Sequence, residues 1–435
     1  MKLPINWLRD YVDFDIEPSE LIHKLTSVGH MQDGPYKKVG NDIVYDLEIR
    51  QNRADCLSII GLARETGAVL NTKIKLPKEY LNEILTIKKD TKIEIENPEL
   101  CPRFDSVTIE GIKIGESPKW LKEKLETYGI KSINNLVDIT NFVMIEIGRP
   151  MHAFDADKVS ERHLIVRNAK KDESLTVLGG KVIKLVEDDL VVASPNQVLG
   201  LAGIIGGVES GIQNSTTSVI LESATWNQAT IRRSSLRHQI RTEASTRLEK
   251  FTHPHLAELG LRRGLALILE LCGGKLVDHT DTYLVKPEEK TIELSIKNLN
   301  RLSGVTISLD EANTLLNRLE LPTKKGTDSI NVSIPYFRTD IEQEEDVIEE
   351  VLRIFGYDNI PAQLPAFPPP LNVQSSLYEF EEEIRNALVG FGFNEEITEP
   401  LVNESQSKLT PIKLENSLSS EKIMLRTTLE ESLLK

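Results

Sequence analysis

Phe337-Arg-Thr-Asp-Ile-Glu-Gln-Glu-Glu-Asp-Val-Ile-Glu-Glu-Val-Leu-Arg353, followed at once by Ile354-Phe-Gly-Tyr-Asp-Asn-Ile-Pro361, carries the strongest structural signal in this chain. Val347, Ile348, Val351, Leu352 and Phe355 recur at helical spacing, which predicts an amphipathic helix. Asp346, Glu349 and Glu350 stand at i, i+3 and i+4, so they are expected on one surface, with Asp340 ahead of the first turn and able to fold back toward it. Four gathered carboxylates suit a hard, oxygen-preferring cation such as Mg2+. The plainer alternative is a solvated acidic face whose first-turn acids favour the helix macrodipole.

Working outward, 435 residues at 40% hydrophobic content exceed one ordinary domain and can fill several cores. Lys plus Arg number 52 against 67 Asp plus Glu, a net charge of −15. That balance argues against a surface that embraces nucleic acid as a whole, so any RNA contact is local. Residues 231–250 are one such place. Arg232, Arg233, Arg237, Arg241, Arg247 and Lys250 face only Glu243 and Glu249, a local balance of 6 − 2 = +4. They could meet phosphates or form a solvated helix face. Cys56, Cys101 and Cys272 lie far apart in no zinc or disulfide spacing, which points to a reducing cytosol. Neither an apolar signal core nor a run of about 18 apolar residues is present, so a soluble, cytoplasmic protein with no membrane span is expected.

Breaks at 88–92, 286–290 and the proline-rich 361–370 divide the chain into four segments. Residues 1–88 carry helical patterns over 18–28 and 55–70. Residues 91–285 read as mixed α and β, with short strands such as 164–167 and 190–193 among glycine-rich turns. Residues 290–361 form a small α+β unit containing a helix over 310–319 and the acidic helix. Residues 372–435 open on an amphipathic helix over 377–391. The fold class is therefore α+β multidomain.

Arg338-x-Asp340-Ile341, Glu344-x-Asp346, Glu349-Glu350 and Arg353-Ile354-x-Gly356-Tyr357-Asp358-Asn359-Ile360-Pro361 resemble the signature of the phenylalanyl-tRNA synthetase beta chain. The resemblance implies that Asp340, Asp346, Glu349 and Glu350 bind Mg2+ at the contact with an alpha chain. A second match runs from Ile133 to Asp155, Ile-Asn-Asn-Leu-Val-Asp-Ile-Thr-Asn-Phe-Val-Met-Ile-Glu-Ile-Gly-Arg-Pro-Met-His-Ala-Phe-Asp, and is similar to the family's editing module. Leu199-Gly-Leu-Ala-Gly-Ile-Ile-Gly-Gly207, Leu221-Glu-Ser-Ala224, Ile231-Arg-Arg233 and Arg241-Thr-Glu-Ala-Ser-Thr-Arg247 follow in the family's order. That module hydrolyses tyrosine wrongly attached to tRNA(Phe), and its pocket positions fall on Thr140, Asn141, His152, Gly206, Glu222, Thr242 and Ala244. By the same resemblance, 91–285 is an editing module of B3/B4 type, 290–361 is winged-helix-like and of B5 type, and 372–435 begins a class II synthetase-like core.

The residue types suit the implied chemistry. An aminoacyl ester is already activated, so hydrolysis needs mainly a positioned water and stabilisation of the developing oxyanion. Telling tyrosine from phenylalanine requires a polar group at the para hydroxyl of an otherwise aromatic-shaped site. Glu222 and His152 are the candidates, Gly206 and Ala244 would leave room for the ring, and amides of the glycine-rich loop could meet ester oxygens. The duller alternatives are a core histidine packed between Met151 and Phe154 and an ordinary strand carboxylate.

Asp46-Leu-Glu-Ile49, Asn52-Arg-Ala-Asp-Cys-Leu-Ser58 and Gly61-Leu-Ala-Arg-Glu65 extend the resemblance to the N-terminus, and Asn416-Ser-Leu-Ser-Ser-Glu421 with Leu425-Arg-Thr-Thr428 to the other end. Only 46 − 29 − 1 = 16 residues separate Gly29 from Asp46, where bacterial family members carry a long OB-type RNA-binding insertion. The end at Lys435 implies a fragment or a reduced chain. In the family the alpha chain holds ATP and phenylalanine, within an alpha2beta2 heterotetramer, while the beta chain supplies scaffold, tRNA(Phe) contacts and editing. No glycine-rich phosphate loop is found in this sequence. Two functions of other classes stay open: a non-catalytic scaffold, and a free-standing hydrolase of mischarged tRNA.

Overall fold

Local capping chemistry sets the elements that matter for the site. The Asn134 side chain accepts the Val137 amide and opens the helix Asn135–Ile147, which ends where Gly148 takes the left-handed conformation at φ 79°. Ser58 accepts the Gly61 amide and opens Ile59–Leu70, closed by Asn71 at φ 53°. The computed structural model describes residues 1–78, 90–364, 375–403 and 409–434. The expected breaks at 88–92 and 361–370 lie partly outside the described residues. Two compact units result, Met1–Pro361 and Ala362–Lys435.

Segments 1–88 and 91–285 of the first unit contribute to a common core, from Leu3, Trp7 and Leu62 to Phe142, Leu221 and Ile268. Trp7 stacks on Phe142 with centroids 5.0 Å apart, which fixes the helix Asn135–Ile147 from behind. The strands Met31–Gln32 and Lys37–Val39 pair with Asp42–Glu48 in the short span between Gly29 and Asp46.

A four-stranded antiparallel sheet runs Lys275–Tyr283, Arg103–Glu110, Ser218–Thr225, His152–Asp155. The helix His255–Leu271 crosses it closely because Gly260 and Gly264 carry no Cβ. A Cβ at Gly260 would lie 2.8 Å from Arg149 Cγ, and one at Gly264 2.8 Å from Met151 Cε. A five-stranded sheet, Ile205–Gly206, Val198–Leu201, Leu190–Ala193, His163–Asn168 and Lys92–Ile95, encloses a second core around Phe154, Val191 and Trp226. The strands expected at 164–167 and 190–193 fall within it.

The third segment pairs Lys290–Ser295, Ser329–Ile334 and Thr323–Lys325 in one sheet, backed by the helices Leu309–Arg318 and Glu344–Phe355. Its core takes in Ala68 of the helix Ile59–Leu70. The acidic helix begins at Glu344, with Asp340 ahead of its first turn as expected. Asp346 accepts the amides of Glu342 at 2.7 Å and Gln343 at 3.0 Å, so its carboxylate closes the first turn.

In the second unit, Ser375 caps the helix Ser376–Gly390, within a residue of the expected 377–391. Leu377, Phe380, Ile384 and Leu388 of that helix are exposed. Among the described residues no helix is long and apolar enough to cross a membrane.

Candidate active site

Between the four-stranded and five-stranded sheets of the middle segment lies a cavity of about 610 Å3, and all seven positions singled out there line it: Thr140, Asn141, His152, Gly206, Glu222, Thr242 and Ala244. Met144, Met151, Phe154, Ile204 and Trp226 add apolar wall. The antiparallel register makes this assembly unavoidable. Glu222 stands directly opposite His152 across neighbouring strands, so their side chains share a face.

Glu222 is 6% exposed. Burial pushes its carboxyl up to about 8, with Arg149 opposing that shift only in part, so it is protonated at neutral pH. His152 packs edge-on against Phe154 at 4.4 Å between centroids. Burial pushes its imidazole down to about 4, leaving it uncharged, and its enclosed Nε2 has no hydrogen-bond partner. A neutral acid and a neutral imidazole thus face one apolar chamber. Together they offer a donor and an acceptor, the complement of a single hydroxyl.

Opposite signs of pH dependence follow. An unfolded Glu222 ionises near 4.5, whereas the folded group holds its proton to about 8, so its contribution to stability is lost as pH rises across that window. An unfolded His152 takes up a proton near 6.5 and the folded one only near 4, so stability also falls as pH drops through that interval. Urea midpoints measured across pH should show Glu222→Gln removing the upper fall while keeping the lower. A variant that tracks wild type at every pH would mean that the native carboxyl ionises normally.

Gly206 does leave space, but the imidazole of His152 takes it. A Cβ at Gly206 would stand 2.8 Å from Nε2 and closer still to Cε1. Gly206→Ala is therefore expected to displace the ring and to destabilise the fold by ~1–3 kcal/mol. An unchanged urea midpoint would contradict this packing. Thr242 is occupied by structural bonds, donating to Ile204 O at 2.9 Å and accepting the Ser245 amide at 3.0 Å as the cap of Glu243–Leu248. It joins the turn that precedes the strand bearing Gly206 to the helix bearing Ala244. Thr140 Oγ1 donates to Val137 O at 2.8 Å, and Asn141 follows it on the same helix at the cavity wall.

Arg149, within the Gly148-Arg-Pro150 string, takes a place at the site that the sequence does not announce. It is fully buried behind the strand of Glu222, donating to Ser223 Oγ at 3.4 Å, Thr225 Oγ1 at 3.0 Å, Thr252 Oγ1 at 3.2 Å and the carbonyl of Ala224. These partners are neutral oxygens. Burial, reinforced by Arg103, pushes its guanidinium down to about 10. A lone arginine among apolar residues gave no sequence signal beyond its place in the motif.

The acidic positions of the third segment do not converge as expected. Glu350 faces inward, Glu349 outward, and no three of Asp340, Asp346, Glu349 and Glu350 bring ligand atoms within 4.8 Å of one another. Arginines hold two of them. Arg338 clasps both oxygens of Asp340 at 2.9 Å and also bonds Glu350. Arg353 bonds Glu350 at 2.7 and 2.6 Å and reaches Glu65 of the first segment at 2.6 and 3.0 Å. Arg53 bonds Glu65 at 2.6 Å and Asp55 at 2.7 and 3.0 Å. Burial alone would raise Glu65 and Glu350, but the facing arginines prevail and hold both below the usual carboxylate range. Arginines thus already balance two of the four acids, and a cation bound here would share Asp340 and Glu350 with them. The helix turn places Glu350 beside Val351 and Val347 on the buried stripe, which spacing counted from charges alone missed.

Family models match this chain over residues 100–273 as a B3/4 domain, 292–357 as a tRNA synthetase B5 domain and 360–435 as a phenylalanyl tRNA synthetase beta chain CLM domain. The phenylalanine–tRNA ligase beta subunit of Geobacter metallireducens is 36% identical over 406 residues, covering 90% of this chain and 51% of that protein. The beta subunit of Clostridium acetobutylicum is 37% identical over 404 residues with the same coverage, and that of Rhodopirellula baltica 35% over 408, covering 93% and 59%. The chain thus spans about half the length of the curated relatives it matches. A crystal structure of an N-terminal fragment of the phenylalanyl-tRNA synthetase beta-subunit from Pyrococcus horikoshii is 17% identical at TM-score 0.48, covering 82% of this chain and 99% of that one.

Proposed function

Because this chain belongs to the phenylalanyl-tRNA synthetase beta-chain family, we propose that it hydrolyses tyrosyl-tRNA(Phe) in the 610 Å3 cavity, as part of a phenylalanine–tRNA ligase whose alpha chain carries out ATP-dependent aminoacylation. Its place of work is the cytoplasm, where its three cysteines stay reduced. The observation that carries the reading is the unpartnered, enclosed Nε2 of His152 directly across the sheet from a protonated Glu222. A phenol entering the chamber donates to the imidazole nitrogen and accepts from the Glu222 carboxyl, while Met144, Met151 and Phe154 hold its ring.

Phenylalanine offers no hydroxyl and leaves both groups unpaired, which costs ~1–3 kcal/mol for each buried polar group. Tyrosine is therefore bound and phenylalanine spared. Asn141 and Thr140 sit at the wall formed by the helix Asn135–Ile147, where they can orient the ester and its attacking water. The peptide amides of Gly203 and Gly206, which line the cavity, supply candidate donors for the oxyanion. No step runs through Mg2+, and the residues above suffice to bind, orient and polarise an already activated ester.

Two measurements bear on this assignment. Tyrosine and phenylalanine coupled through a stable amide to the 3′ position of adenosine should differ in affinity for the purified chain by about tenfold or more, tyrosine the tighter. Equal affinities by calorimetry would remove the chamber as a tyrosine site. Phenylalanine-dependent exchange of ATP with pyrophosphate should be absent from this chain alone and appear with an alpha chain. Exchange by the chain alone would place the ligase chemistry here.

A further inference from the structure

Outside the cavity, a groove of about 450 Å3 runs where all three segments of the first unit meet, lined by Gln51 and Asn52 from the first, Gln228, Arg232, Lys250 and Phe251 from the second, and Thr339 with Asp340 from the third. The structure sorts the basic stretch 231–250 into spent and unspent charges. Arg237 pairs with Asp189 at 2.6 Å and Asp188 at 3.6 Å, Arg241 with Glu249 at 3.2 Å, and Arg247 is buried against Glu243 at 2.6 Å. Arg233 donates to the neutral Ala229 O at 3.3 Å and stands outside the groove lining. Arg232 and Lys250 are the two cations that line the groove. Its carboxylates are already neutralised, Asp340 by Arg338 and Glu249 by Arg241.

The groove and the cavity share their walls. Trp226 and Leu248 line the cavity, while Gln228 and Lys250, two residues further along each strand of chain, line the groove. Cross-links hold its floor: Asn52 to Asp340 at 3.4 Å, Thr339 to the Phe251 carbonyl at 3.4 Å, and Lys250 to Gln51. Phe251 is 50% exposed at the rim. From this arrangement we infer that the groove binds the single-stranded 3′ end of the RNA whose terminal ester occupies the cavity, with Arg232 and Lys250 on its phosphates and the Phe251 ring stacked on a base. Burial lowers the affinity of Lys250 for its proton, Glu249 opposes that shift, and the nearby Arg241 and Arg232 add to it, so a phosphate between these cations relieves their repulsion. The inference rests on the hydrolytic reading for the position of the ester, but its binding test requires no hydrolysis.

Fluorescence anisotropy with the full chain and a labelled single-stranded RNA ending in CCA reads the groove directly, across a salt series. Arg232→Ala with Lys250→Ala should weaken binding about tenfold at low salt and reduce the slope of log affinity against log salt by about 1.4, two phosphate contacts at ~0.7 each. Phe251→Ala should weaken binding with the slope unchanged, while Arg233→Ala, on the same helix, should bind as wild type. Wild-type affinity and slope in the double variant would overturn the inference. So would an Arg233→Ala loss equal to that of Arg232→Ala, since the attraction would then be diffuse. If the RNA binds as described but tyrosyl-tRNA is never hydrolysed, the hydrolytic reading fails and the groove stands.

Discussion

Glu65→Ala is expected to destabilise the first unit by ~3–5 kcal/mol, because it leaves Arg53 and Arg353 buried with a shared acid removed. Glu65 also accepts from His30 Nε2 at 3.2 Å, so three groups lose a partner at once. The loss should appear as a lower urea midpoint, accompanied by faster amide exchange in the helix Glu344–Phe355, since the bond from Arg353 to Glu65 ties that helix to Ile59–Leu70. Asp346→Asn, which weakens a first-turn cap, should cost only about 1 kcal/mol. Arginines, not a cation, balance Asp340 and Glu350, so chelator should leave the wild-type midpoint where it is. A midpoint that falls in chelator and recovers with Mg2+ would restore the metal reading of these acids.

Much of this architecture was legible in the residues. The helices over 18–28 and 310–319 and the strands at 164–167 and 190–193 announced themselves through apolar period and turn residues, whereas the pattern over 55–70 divides into a short turn, Ala54–Cys56, and the helix Ile59–Leu70. The cavity positions were legible as an ordered set of motifs, and the sheet register then brings His152 and Glu222 together. What stayed hidden depends on partners distant in sequence. Glu350 reads as one more acid on a charged helix until Arg338, Arg353 and Glu65 close around it. Gly206 reads as room for a ligand until the imidazole fills it. The basic run 231–250 reads as one patch, yet ion pairs with Asp188, Asp189, Glu243 and Glu249 leave it far more selective.

Glu222→Ala should slow hydrolysis of the tyrosyl ester by at least about tenfold, the equivalent of one lost buried hydrogen bond at ~1–3 kcal/mol. Hydrolysis of phenylalanyl-tRNA, already slow in wild type, should not fall by the same factor, because its ring never met the carboxyl. His152→Ala should act in the same direction, since it removes the unpartnered nitrogen that the phenol would satisfy. Glu222→Gln, which retains a neutral group able to donate and accept, should lose less than Glu222→Ala. The most direct measurement is release of labelled tyrosine from pre-charged tyrosyl-tRNA(Phe) by the purified chain, with and without an alpha chain. The expected result is rapid release by wild type, release slowed at least about tenfold by Glu222→Ala, and phenylalanyl-tRNA largely spared. Equal rates for wild type, Glu222→Ala and His152→Ala under both conditions would contradict the hydrolytic site and leave the chain a scaffold.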